Sequence, residues 1–197
     1  DDELIKFLQK LQVKFFRGNE KDIIQRFLDA ANEFDTDIII DVEGDKIYTD
    51  PDYVDKLALV LKTNDIDFII GNDSNTEFNP SNHFVHGMIP AGFTKNALKK
   101  IFQSKTTHDT ETGYLEFFIK SEIIKSKFFV IETTDFLNKI RLTLDYPEDL
   151  QLAKQIFLKL DPTFKMDDII TLFQENPELF LITEKISDEW ELNYKKN

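Results

Sequence analysis

Asp37-Ile-Ile-Ile-Asp-Val-Glu-Gly-Asp-Lys-Ile-Tyr-Thr-Asp-Pro51 is the stretch on which the fold turns. Three isoleucines and a valine within residues 37–42 suit a strand covered on both faces. Glu43-Gly44-Asp45 follows at the strand's C-terminal edge. Asp50-Pro51 then opens a helix, with Asp as N-cap and Pro at the first helical position. Open α/β sheets bind ligands outside the carboxyl ends of their strands, so Asp45 is a candidate metal ligand. The plainer reading gives it only the shaping of a turn.

Outward from this stretch, helical and strand patterns alternate. Residues 3–12 carry Leu4, Ile5, Phe7, Leu8 and Leu11 on one helical face, and residues 13–16 read as a short strand. Residues 20–34 read as a helix with Ile23, Ile24, Phe27, Leu28 and Ala31 on one side. After the isoleucine strand come a helix carrying Val54, Leu57, Ala58 and Leu61 and a strand over residues 67–70. Such alternation points to a parallel, two-sided α/β sheet. Residues 71–82 and 104–113 are polar loops. Residues 84–93 read as a strand pair interrupted at Gly87 and Gly92, and Ala97 to Phe102 mark a helix. Residues 114–132 fit either a hairpin-like excursion or a helix followed by a strand. Residues 139–145 alternate as a strand and residues 147–160 form an amphipathic helix. Residues 167–173 and 176–181 make two short closing helices. The tail after Thr183 is polar, with Trp190 and Tyr194 as its anchors.

Composition narrows the chemistry. At 197 residues the chain is long enough for one sizeable α/β domain, or one domain with an appendage. It has no cysteine, which excludes disulfides, thiol nucleophiles and Cys-based zinc sites. A net charge of −13 argues against a general nucleic-acid binder. No apolar run approaches a membrane span and no signal peptide is visible, so a soluble cytoplasmic protein is the expectation. The first residue is Asp rather than Met, and the chain reads as processed or cropped there.

Asp45 and Asp145 both follow apolar strands and precede Pro-started helices, which in a parallel sheet brings them to one edge. A magnesium ion bound to nucleotide phosphates needs only one or two carboxylates, phosphates and waters filling the rest. Asp73 is a third acidic strand end. The plain reading of Asp145 is a helix cap. In Arg17-Gly-Asn-Glu-Lys-Asp22, Asn19 can cap the next helix with Asp22 at its third position. The same helix N-terminus, with Arg17, also suits an anionic ligand group. Only three of the 24 basic residues are arginine, Arg17, Arg26 and Arg141, and arginine recognises carboxylate and phosphate by paired bonds. His83, His86 and His108 all read as surface loop residues. No Walker or Rossmann glycine fingerprint is present.

These segments together resemble the cytidylyltransferases that activate acidic sugars and related acids as CMP conjugates, in the branch named for spore-coat polysaccharide synthesis. Residues 17–26 look like that branch's Arg-Gly-Ser-x-x-Asp-Val-Leu-x-Arg, with Asn19 where Ser is usual. Residues 37–51 look like its strand ending in Gly-Asp followed by x-Asp-Pro. Arg141-Leu-Thr-Leu-Asp-Tyr-Pro-Glu-Asp-Leu150 looks like its Arg-Trp-Thr-Leu-Asp-Thr-Pro-Glu-Asp-Leu, and residues 176–179 fit its closing helix.

The resemblance implies a three-layer, mostly parallel sheet of the nucleotide-diphospho-sugar transferase type, one domain over residues 1–197. It implies transfer of CMP from CTP to an acidic acceptor, with Asp45 and Asp145 holding Mg²⁺. Arg141 would support either the acceptor carboxylate or the second metal carboxylate. Arg17 and Asn19, with Asp22 in the same segment, would face the nucleotide. Relatives often pair subunits through the region matching residues 110–135, so a homodimer is implied. The family's opening strand and Gly-rich triphosphate loop have no counterpart, which would trim the sheet at its N-terminal edge. Residues 88–93 are apolar where acidic residues are usual, and Asp109-Thr110 replaces Glu-His before a Thr, leaving the acceptor open. A glycosyltransferase of similar architecture and a non-catalytic scaffold domain are the alternative readings.

Overall fold

The computed structural model describes residues 2–111 and 113–194. In it the isoleucine strand is β1, Ile38–Asp41, after helices α1 (Asp2–Lys10) and α2 (Ile23–Glu33). The chain continues through α3 (Pro51–Thr63), β2 (Phe68–Asn72), α4 (His83–Met88), β3 (Ala91–Thr94) and α5 (Lys95–Ser104). Then come α6 (Tyr114–Ile119), β4 (Ser126–Val130), α7 (Asp135–Asn138), α8 (Pro147–Lys159) and α9 (Met166–Glu175). A 3₁₀ turn, Pro177–Leu179, leads into α10 (Phe180–Tyr194). Asp50 caps α3 by accepting from Asp52 N at 2.9 Å, with Pro51 at the first helical position as its sequence predicts.

The sheet order is β1-β3-β2-β4. β2 pairs parallel with β4, while β3 runs antiparallel to both β1 and β2. Three of the four strands therefore share a direction and β3 is the reversed one. Strand side chains alternate between faces. Ile38, Ile40 and Ile69 pack into one apolar cluster with Leu57, Leu61 and Met88. Ile39, Phe68 and Ile70 point into the other with Ile24, Leu28 and Phe93. Helices cover both faces, the three-layer α/β arrangement that the alternation implies.

Several local expectations are corrected. Residues 13–16 form no strand: Val13 and Phe15 are exposed, and no sheet neighbour takes up their backbone among the described residues. Residues 84–93 are a helix and one strand, not a strand pair. Asn82 caps α4 by accepting from Val85 N at 3.0 Å, and Phe84, Val85 and Met88 face the core with helical spacing. Residues 140–144 join no ladder among the described residues; Ile140 and Leu142 fill the core while Arg141 turns onto carboxylates, so the alternation comes from packing and not from strand pairing. Residues 114–132 resolve as helix then strand. The polar tail is helical to Tyr194, with Trp190 packed edge-on against His83 at 4.4 Å; the side chain of Tyr194 lies outside the described residues. No described helix is long and apolar enough to cross a membrane.

Candidate active site

A cavity of about 420 Å³ opens beyond the carboxyl ends of β1 and β2, lined by Asp41 and Ile70 from those ends. Asp45 and Lys46 enter it from the turn after β1, Asp145 from the segment before α8, and His83 and His86 from α4. A Cβ at Gly87 would stand 2.2 Å from the Leu142 carbonyl oxygen. Only glycine there lets α4 press against residues 140–144, which is how His83 reaches Arg141.

Arg141, 1% exposed, organises this side of the cavity. Its Nε donates to Asp149 Oδ1 at 2.9 Å and its Nη2 to Asp149 Oδ2 at 3.3 Å. The same Nη2 donates to Asp145 Oδ2 at 2.9 Å, and Nη1 lies 2.9 Å from His83 Nε2. Burial, and then the guanidinium itself, push the His83 pKa down to about 3. His83 is thus neutral and accepts from Arg141. Asp149, fully buried, also accepts from Asp145 N and Tyr146 N, each at 3.0 Å, which pins the loop where Asp145 sits.

The two sequence-marked carboxylates converge on one hydroxyl. Thr143 Oγ1 lies 3.3 Å from Asp45 Oδ2 and 3.2 Å from Asp145 Oδ2. Its single proton serves one of them at a time. Lys46 Nζ donates to Asp45 Oδ2 at 3.0 Å and to Thr143 Oγ1 at 3.2 Å. Tyr114, also in the lining, donates its hydroxyl proton to Asp41. Burial raises the pKa values of Asp41, Glu43 and Tyr114. Two carboxylates, one of which already holds an ammonium, suit a hard cation that takes its other ligands from phosphate and water.

Asp45, Asp145 and Arg141 are therefore brought together, and Arg141 sits behind Asp145 rather than in the open cavity. Asp145 does not cap α8; Asp149 does that by bonding Tyr146 N. Arg17, Asn19 and Asp22 lie apart from the cavity lining. Arg17 pairs at 2.8 Å with Asp2, both well exposed. Asn19 Oδ1 accepts from Lys21 N and Asp22 N, an Asx turn that precedes the helix. The N-cap is Asp22, whose carboxylate accepts from Gln25 N at 3.1 Å, so α2 begins three residues later than the Asn19 cap predicts. Asp73 is also outside, held by Asn79 and Asn82 side chains at 2.7 and 2.9 Å. His83 and His86 are not loop residues but half-buried on α4. Sequence reasoning missed Asp149, Thr143, Lys46 and both histidines. Asp149 alone carried a local signal, an acid at the third position of a Pro-started helix.

The fold and this cavity define a nucleotidyltransferase-like α/β protein. No family model matches the chain. A solved cytidylyltransferase from Leptospira borgpetersenii superposes with a TM-score of 0.76 at 27% identity, covering 91% of this chain and 74% of that one. The chain is 26% identical over 187 residues to the uncharacterised protein MJ1063 of Methanocaldococcus jannaschii, 91% of this chain and 70% of that protein. It is 23% identical over 182 residues to the spore coat polysaccharide biosynthesis protein SpsF of Bacillus subtilis, 90% and 72% of the two chains. The chain thus has the fold of a cytidylyltransferase.

Proposed function

We propose that this protein transfers CMP from CTP to an acidic sugar or related acid and releases pyrophosphate. The observation that carries this reading is the convergence of Asp45 and Asp145 on the Thr143 hydroxyl, at the strand ends of a cytidylyltransferase fold. An acceptor oxygen bonds to the α-phosphorus of CTP as the bridge to the β-phosphate breaks, and pyrophosphate leaves with that electron pair. Asp45 and Asp145 would hold Mg²⁺, which when bound offsets charge on the phosphoryl oxygens. Arg141 fixes the Asp145 carboxylate through its own anchorage on Asp149. With Asp41, Glu43 and Glu116 also on the walls, the cavity repels a bare triphosphate, which favours a cation-bound substrate. Asn19 and Asp22 serve this reaction indirectly, by starting α2. Consumption of CTP implies the cytoplasm. Residues 110–135 are our candidate pairing surface for a homodimer, since β4 is an edge strand with Ser126 and Lys127 exposed.

The test is CTP-dependent pyrophosphate release by the intact protein with Mg²⁺, across a panel of acidic acceptors. Asp45→Asn and Asp145→Asn should each lower turnover by roughly 100-fold or more, as loss of a group stabilising transition-state charge does, with circular dichroism unchanged. Wild-type turnover in either variant removes that carboxylate from the site. Sugar transfer without pyrophosphate would replace the reading by a glycosyltransferase.

A further inference from the structure

Lys46 touches both the carboxylate and the hydroxyl at the centre of the cavity, yet CMP transfer as described leaves it without a role. Its Nζ lies 3.0 Å from Asp45 Oδ2 and 3.2 Å from Thr143 Oγ1, and that hydroxyl is also 3.2 Å from Asp145 Oδ2. The ammonium therefore rests against the point on which both carboxylates converge, where a cation shared by them would sit. Its side chain is only 18% exposed and that of Asp45 34%, so water screens the pair less than it would on an open surface.

The charge balance of the cavity sharpens this. Five lining residues bear carboxyl groups, Asp41, Glu43, Asp45, Glu116 and Asp145, and Lys46 is the sole lysine or arginine among the lining residues. The histidines add no charge near neutral pH, since burial holds both His83 and His86 below the ordinary value. Arg141 reaches Asp145 from behind but is shared with Asp149.

We propose that the Lys46 ammonium is a resident counter-ion in the cation position beside Asp45 and Asp145, and must vacate it before a divalent cation binds. The proposal rests on the CMP-transfer reading, in which the same carboxylates take the metal. Two cations cannot hold one carboxylate oxygen at bonding distance without strong repulsion. Divalent-cation affinity is accordingly lower than the carboxylates alone would give. In exchange the carboxylates stay ordered and partly neutralised while the cavity is empty.

The experiment is Mn²⁺ titration calorimetry on the intact protein without nucleotide, with folding checked by circular dichroism. Lys46→Met should bind Mn²⁺ roughly tenfold or more tightly than wild type, and Lys46→Arg, which keeps the charge, within about threefold of it. Lys154→Met, an exposed charge removal on α8, should leave the affinity unchanged and so control for net charge. Asp45→Asn should bind more weakly. If Lys46→Met binds no more tightly than wild type while Asp45→Asn is weaker, the counter-ion role is overturned and the carboxylate site stands. Equal binding by wild type and Asp45→Asn, or none in any of these proteins, removes the carboxylate site and this proposal with it.

Discussion

Among the described residues two buried cation–carboxylate pairs sit at helix starts, and one of them opens onto the cavity. At the start of α2, Asp22 is fully buried and Lys105 donates to its Oδ2. Its Oδ1 accepts from Gln25 N and from the Thr110 hydroxyl, each at 3.1 Å. Lys105 also donates to Thr107 O at 2.7 Å, so the pair closes on itself and ties residues 105–110 to α2. Burial works against the Asp22 charge, but the bonds from Lys105, Gln25 and Thr110 outweigh it and leave the carboxyl below its ordinary value. At the start of α8, Asp149 is buried just as fully, but its partner is an arginine. Arginine has five donors in a rigid fork, lysine three on a flexible stem. After satisfying Asp149, Arg141 still holds Asp145 and His83 at the cavity wall. The same elementary pair is a closed staple in one place and a support for chemistry in the other, and the difference is the donors left over.

Removing the cation from each pair breaks or sharpens that contrast. Arg141→Met strands the Asp149 charge, and breaking a buried pair costs about 3–5 kcal/mol. CMP transfer should also be lost, because Asp145 loses its anchor. Lys105→Met should cost a similar amount by denaturant unfolding, while turnover per folded molecule stays at the wild-type level. Asp22→Asn combined with Lys105→Met should recover part of the stability, since no buried charge is then left unpaired. Loss of activity in folded Lys105→Met would mean that the two pairs are functionally alike.

The contrast also separates what could be read in the sequence from what could not. The two-sided sheet followed from period and punctuation: Ile38 to Ile40, Phe68 to Ile70 and the Asp50-Pro51 start are local signals. Asp45 and Asp145 were legible because each follows an apolar run. Arg141 was marked by the scarcity of arginine. Its anchorage on Asp149 was hidden, because the pairing spans eight residues with a turn between. His83 entered the site only through the close contact of Gly87 with Leu142, a tertiary event with no local pattern. Residues 139–145 read as a strand because alternation reports which side chains are buried, not whether a neighbouring strand exists to pair with; at residues 13–16 the apolar pattern does not report even burial, since Val13 and Phe15 are exposed. The Asx turn at Asn19 has the sequence signature of a helix cap, because both use the same side-chain oxygen on nearby N–H groups.

His83 turns the contrast into a pH dependence. The unfolded chain takes up the imidazole proton near pH 6.5, whereas the folded chain, in which burial and then Arg141 disfavour the charged ring, does so only near 3. Between these values the unfolded state binds more protons, so stability rises with pH and is lost as pH falls from about 6.5 toward 3, by at most about 1.4 kcal/mol per pH unit from this group. His83→Gln keeps an acceptor for Arg141 and cannot titrate. Its unfolding free energy should fall less steeply than wild type between pH 6.5 and 4. Parallel curves would mean that burial and Arg141 do not hold the ring neutral.

Arg17 supplies the smallest effect and the cleanest control, because it is the third kind of pair: an exposed one. Its guanidinium meets Asp2 with the two side chains 56% and 83% exposed. Water and salt screen such a contact, which holds two long side chains at little net gain. Arg17→Ala should change stability by less than about 1 kcal/mol and, since the residue lies outside the cavity lining, leave KM for CTP unchanged. The family resemblance instead puts this arginine on the nucleotide side. A clear rise in KM with stability intact would restore that role, and would mean that residues 17–22 close over the nucleotide when it binds. Buried and closed, buried and open, and exposed pairs would then differ in how far each moves on binding, and not only in the donors each has left.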